Sequence, residues 1–205
     1  MNLSGLYAIT IPSENLLQQV EAAIAGGAAM IQYRDKCSDL SLRREQARQL
    51  SRICRAADIP LIINDDIELA AKVSAAGVHL GRDDIALKNA RRDLGDEAII
   101  GISCYNDFDL ALQAQRQGAD YIAFGSFFAS PTKPLAVRAD KSLLQRAKQE
   151  LEIPVVAIGG ITTDNGKPLI EAGADMLAVI TALFAQADVE QASYSFVQLF
   201  SEEKQ

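Results

Sequence analysis

The chain has 205 residues, 49% of them hydrophobic and 23% charged, with a formal net charge of −7. That length supports one sizeable core, no apolar run approaches the roughly 18 residues of a membrane span, and an acidic chain without a basic block disfavours nucleic-acid binding. Cys37, Cys54 and Cys104 show no metal-ligand or CxxC spacing and read as free thiols of a reducing cytoplasm, and Met1 to Gly5 lacks the regions of a signal peptide.

Short apolar runs then alternate with amphipathic stretches. Gly5–Thr10 reads as a strand, followed by a helix that Ser13 caps and Gly26-Gly27 stops. Met30–Asp35 is the second strand and Ser41–Ala57 the second helix. Pro60–Asp65 is a strand, and its helix, Ile67–Ala76, is closed by Gly77. Val78–Gly81 is a very short strand, followed by a helix over Ile85–Leu94. Ala98–Cys104 and the helix Asp107–Gln117 come next, then the strand Tyr121–Gly125. A longer loop leads to a helix from about Asp140 to Leu151. Pro154–Ile158, the helix Gly166–Ala172, Met176–Ile180 and a terminal helix Val189–Phe200 complete the series.

Eight continuously apolar strands alternating with eight helices predict parallel strands buried on both faces. Gln117-Gly118-Ala119-Asp120 and Glu171-Ala172-Gly173-Ala174-Asp175 repeat at helix-to-strand turns, as does Ala25-Gly26-Gly27-Ala28. Such repetition suits an α/β fold closed as a single (β/α)8 TIM barrel over residues 1–205. An open doubly wound sheet fits less well, because Thr10-Ile11-Pro12-Ser13 carries no glycine fingerprint.

A parallel barrel places its working residues at the carboxyl ends of its strands. The second strand offers Gln32, Arg34 and Lys36, two apart and hence on one face. The third offers Asn64 and Asp65, the fourth is followed by Arg82, Asp83 and Asp84, and the fifth carries Ser103. The loop after the sixth holds Ser130-Pro131-Thr132-Lys133, the seventh ends in Gly159-Gly160, and the eighth in Ile180-Thr181. Carboxylates beside cations suggest a magnesium-bound polyphosphate, with Asp65 and Asp84 the best-placed pair. Either could instead cap a helix, Asp65 through a capping box with Glu68. Gly159-Gly160 before a helix suits phosphate or a tight turn capped by Thr163 or Asp164. Arg34 and Lys36 could equally be a strand end meeting water. His79, the one histidine, lies in an apolar strand and reads as a packed core residue. Arg82 has a solvated arginine as its default reading.

These residues, in order at successive strand ends, resemble the thiamine phosphate synthase family over essentially the whole length. The resemblance rests on Gln32-Tyr33-Arg34-Asp35-Lys36, Asn64-Asp65, Gly77-Val78-His79-Leu80-Gly81 with Asp84, Ser103, Thr132-Lys133, Ala157–Ile161 and Ile180-Thr181. It implies a transferase of thiamine biosynthesis that joins an aminopyrimidine diphosphate to a thiazole phosphate and expels diphosphate. It implies that Gln32, Tyr33, Arg34, Asp35, Lys36, Asn64, Ser103 and Lys133 hold the pyrimidine diphosphate. Arg34, Lys36, Ser103 and Lys133 would be catalytic. Asp65 and Asp84 would bind Mg2+, and Ser130, Pro131, Thr132, Gly160, Ile180 and Thr181 would surround the thiazole phosphate. Three positions depart from the family pattern: Ser130 with Pro131 stands where a threonine is usual, Arg82 where a glutamine is common, and Thr181 where a serine is common. Rival expectations are a thiazole tautomerase, which needs no magnesium-bound diphosphate, and a non-catalytic phosphate-binding barrel. The partners expected are phosphorylated small molecules, with neither nucleic acid nor membrane, in the cytoplasm; the sequence is also compatible with a homo-oligomer.

Overall fold

Eight strands pair in parallel, each with its neighbour in sequence, and the eighth returns to the first. The computed structural model describes residues 3–81, 87–129 and 137–201. The strands are β1 (Gly5–Ile9), β2 (Met30–Tyr33), β3 (Leu61–Asn64), β4 (Gly77–Leu80), β5 (Ile99–Tyr105), β6 (Tyr121–Phe124), β7 (Val155–Ile158) and β8 (Met176–Val179). The helices are α1 (Leu16–Ala25), α2 (Leu40–Ala56), α3 (Ile67–Val73), α4 (Leu87–Leu94), α5 (Phe108–Arg116), α6 (Lys141–Glu150), α7 (Thr163–Glu171), α8 (Thr181–Phe184) and α9 (Val189–Ser201). This is the expected (β/α)8 barrel. Among the described residues the helix between β8 and the terminal helix, α8, is the one added element.

Alternation along the strands makes two apolar layers. Leu6, Ile31, Ile63, Ile122 and Leu177 face outward and pack under the helices. Tyr7, Met30, Ile62, Tyr121, Val156 and Met176 face inward and fill the lumen. Two glycines make room for that filling. A Cβ on Gly77 would lie 1.8 Å from Ile99 O, and one on Gly101 would lie 2.0 Å from the Tyr121 ring. Gly77 therefore opens β4 rather than closing α3. The close of α3 falls to Ser74, in the left-handed region at φ 51°.

The repeated Gly-Ala-Asp turns also have a physical reason. Asp120 N donates to Ile100 O, and Ile100 N donates back to Asp120 Oδ2 at 2.7 Å. Asp175 repeats the pair on Val155, with Val155 N to Asp175 Oδ2 at 2.8 Å. Each aspartate thus satisfies an amide at the start of the strand before its own, at the end of the barrel opposite the rim described below.

Other helix starts differ from expectation. The N-cap position of α1 is Asn15, and Ser13 Oγ accepts from Asn15 N instead. The start of α7 is earlier, behind Thr162, whose N–H donates to Asn165 Oδ1 at 2.8 Å. Among the described residues no helix is long and apolar enough to cross a membrane.

Candidate active site

The carboxyl ends of the strands form one rim of the barrel, and β2 supplies its first cation. Thr10, buried just past β1, donates its N–H to Gln32 O and accepts from Arg34 N on its hydroxyl at 3.0 Å. That clasp fixes the backbone where the strand ends. Gln32 is 2% exposed and points into the lumen, Arg34 is half-buried, and Lys36 is exposed. The strand stops at Tyr33, so Arg34 and Lys36 follow it in irregular chain. The two residues between face elsewhere. Tyr33 packs in the outer layer and donates to Gln46 of α2 at 2.8 Å. Asp35 accepts from Cys37 N at 2.7 Å, which turns the chain toward α2. The geometry thus gives Tyr33 and Asp35 structural bonds of their own.

At β3 the two readings of Asp65 separate. Helix α3 is capped by Asp66, whose Oδ1 accepts from Leu69 N at 2.8 Å and whose Oδ2 pairs with Arg43 at 3.0 Å. The capping box built on Asp65 is therefore corrected by one residue. Asp65 is in the left-handed region at φ 63°, exposed, with Asn64 Nδ2 donating to its Oδ2 at 2.6 Å. Aspartate tolerates that backbone better than most residues. Asp65 itself stands one residue past the end of β3.

The lumen below the rim holds a chain of hydrogen bonds through five strands. Gln32 Nε2 donates to Tyr7 OH at 2.6 Å. The hydroxyls of Tyr7 and Tyr121 lie 2.8 Å apart. Tyr121 OH lies 2.9 Å from His79 Nδ1, and His79 Nε2 lies 2.9 Å from Ser103 Oγ. The rings hold one another: Tyr7 meets Tyr121 edge-on at 85°, and His79 stacks on Tyr121 at 23°. Burial raises the pKa of both tyrosines far above the ordinary phenol value, so they serve as neutral hydroxyls. His79 is buried as expected, and it also supports Ser103. Tyr7 and Tyr121 went unseen in the sequence. Their signal is a polar-tipped aromatic at an inward position of an apolar strand, the same alternation that marks Gln32 and His79.

At the far side of the rim, Gly159 and Gly160 have φ of 104° and 64°. A Cβ on Gly159 would lie 2.1 Å from Ser126 Oγ, and one on Gly160 2.3 Å from Ala129 O. Phe128 N donates to Gly159 O at 2.9 Å. The glycine pair thus lets the start of the loop after β6 lie against the end of β7. The neighbouring strand β8 leads through Ile180 to Thr181, the exposed first residue of α8. Asp84, Arg82, Ser130, Pro131, Thr132 and Lys133 lie outside the described residues. Among the described residues no group of three or more His, Cys, Asp and Glu could hold a metal ion. Asp65 offers a hard carboxylate oxygen of the kind magnesium takes, and such an ion would complete its shell with waters and substrate phosphate.

A family model described as thiamine monophosphate synthase matches residues 6–183. The chain is 54% identical over 202 residues to a thiamine-phosphate synthase of Thiobacillus denitrificans, covering 97% of this chain and 96% of that one. It is 52% identical over 203 residues to that of Marinobacter nauticus, covering 96% and 91%. Among solved structures, a thiamine phosphate pyrophosphorylase from Pyrococcus furiosus superposes with a TM-score of 0.87 at 33% identity, over 98% of this chain and 97% of the other. The chain therefore belongs to the thiamine monophosphate synthase family and is an enzyme of the transferase class.

Proposed function

We propose that the protein condenses 4-amino-2-methyl-5-(diphosphooxymethyl)pyrimidine with a thiazole phosphate, giving thiamine phosphate and diphosphate. The observation that carries this reading is the rim itself: Gln32, Arg34, Asn64, Asp65 and Ser103 stand at the ends of β2, β3 and β5 over one lumen, with Asp65 released from capping by Asp66. Breaking the carbon–oxygen bond of the diphosphate ester leaves negative charge on the departing group. Arg34 and Lys36 would face that charge as it builds, with Lys133 joining them by family resemblance. Ser103 would hydrogen-bond it from below, and Gln32 and Asn64 would orient the pyrimidine. Magnesium, held by Asp65 and Asp84, would supply further neutralisation of the diphosphate oxygens. The thiazole phosphate would sit against Gly160, Ile180 and Thr181, with its nitrogen aimed at the methylene carbon. Both substrates must be held together and dry, since water would otherwise take the methylene cation. No protein nucleophile is needed.

The test is to incubate the protein with both phosphorylated substrates and magnesium and to follow thiamine phosphate. Formation of product that is lost in Asp65→Asn and Asp84→Asn is the expected result. Conversion of the thiazole phosphate alone would mean a tautomerase, and binding of both ligands with no product a non-catalytic barrel. Full turnover by both variants would remove the metal assignment.

A further inference from the structure

The lumen chain has a direction, and its direction decides what Ser103 can offer. The amide Nε2 of Gln32 is a donor only, and it stands 2.6 Å from Tyr7 OH. Tyr7 oxygen therefore accepts. Its own hydrogen goes to Tyr121 OH, 2.8 Å away in a fully buried lumen where an unused donor is costly. Tyr121 oxygen then accepts in turn, and its hydrogen goes to His79 Nδ1. That nitrogen must present a lone pair, so a neutral His79 carries its hydrogen on Nε2 and donates it to Ser103 Oγ at 2.9 Å. Ser103 oxygen accepts from below, which leaves its hydrogen for the rim.

We infer that this network runs one way, from Gln32 to Ser103, and that Tyr7, Tyr121 and His79 are positioning residues which commit the Ser103 hydroxyl to donating. The consequence rests on the function proposed above: the diphosphate oxygen that leaves carbon gains negative charge and accepts hydrogen bonds, and a committed donor stabilises it where a rotating hydroxyl would do so less well. The reverse network would spend the Ser103 hydrogen on His79. Ser103 would then turn lone pairs toward the anion.

The chain contains one histidine, so the 15N spectrum of a tag-free labelled protein at neutral pH reports this imidazole without assignment. The expected result is a proton-bearing Nε2 and a bare Nδ1, measured with no substrate present. A hydrogen on Nδ1, or on both nitrogens, would overturn the direction. Tyr121→Phe keeps both ring contacts and removes the link. It should release the tautomer to a mixture and lower kcat about tenfold, which corresponds to about 1.4 kcal/mol, with KM for the thiazole phosphate unchanged. In a Ser103→Ala background the same substitution should change kcat by less than about twofold, because its effect passes through Ser103. A full tenfold loss in that background would refute the positioning role. Should the protein make no thiamine phosphate at all, the proposed function falls while the tautomer still decides the direction.

Discussion

Gly101→Ala puts the packing of the lumen to the sharpest test. A Cβ at that position would lie 2.0 Å from Tyr121 Cζ and 2.4 Å from both of its Cε atoms. The ring has nowhere to retreat, because it is fully buried, meets Tyr7 edge-on and stacks on His79. Overpacking of this kind costs about 1–3 kcal/mol. A ring pushed aside also strains its bonds to Tyr7 and His79, and each buried polar group left unpaired adds about 1–3 kcal/mol. With one of those bonds lost the expected loss is about 2–6 kcal/mol, a large part of the roughly 5–15 kcal/mol that holds a domain together. Urea denaturation followed by circular dichroism measures it as a lower midpoint at unchanged slope. The cause is checked with Tyr121→Leu, which removes the atoms in conflict. The double variant should be less destabilised than the sum of the singles by at least about 1 kcal/mol. A Gly101→Ala protein within about 0.5 kcal/mol of wild type would refute the account of a lumen fixed by the Tyr121 ring.

Asp66→Ala and Asp65→Asn should divide stability from activity. The first removes the α3 cap and the partner of Arg43 and should cost about 2 kcal/mol in urea unfolding; the second, which keeps the side chain's size and one amide oxygen, should cost less than about 1 kcal/mol and lower synthase turnover at least about tenfold. Burial raises the Asp175 carboxyl above its ordinary value, so the folded state holds its proton more tightly than the unfolded chain. Its contribution to stability is fully present below the ordinary value near 3.8 and is lost as pH rises through the raised one. Asp175→Asn should remove that fall, seen as a flatter profile of unfolding midpoint against pH from about 4 upward, and an unchanged profile would contradict it. Thiol titration of the native protein should find Cys37 fast and Cys54 slow, since Cys37 is exposed while burial pushes the Cys54 thiol up to about 12; rapid reaction at Cys54 would show that the helix layer over it opens.

How much of the barrel could be read in advance follows from which forces act locally. Strands buried on both faces must be apolar throughout, and helices that cover them must carry a stripe, so the alternation of the two was legible residue by residue. The strand-end residues were legible for the same reason, because polarity returns where the lumen opens. Helix caps were legible only to within a few residues. Asp65 and Asp66 offer the same carboxylate at the same junction, and the choice between them depends on the backbone at Asp65 turning to φ 63°, which leaves Asp66 to bond Leu69 N. The helix α8 was missed because four residues are too few to show a period. The lumen network was hidden for a different reason. Tyr7 and Tyr121 are 114 residues apart and meet only through the closure of the sheet. Nothing near either tyrosine in sequence announces the other, and His79 reads from sequence as a core residue and no more because its partners come from β5 and β6. Inward alternation places Gln32, Tyr7, His79, Ser103 and Tyr121 in one lumen once the barrel is granted. A polar side chain there must find a partner or leave a buried group unsatisfied, and among the described residues these five partner one another. The closure of the barrel thus turns a list of isolated polar residues into a single hydrogen-bonded unit, and that unit ends at the serine on the rim.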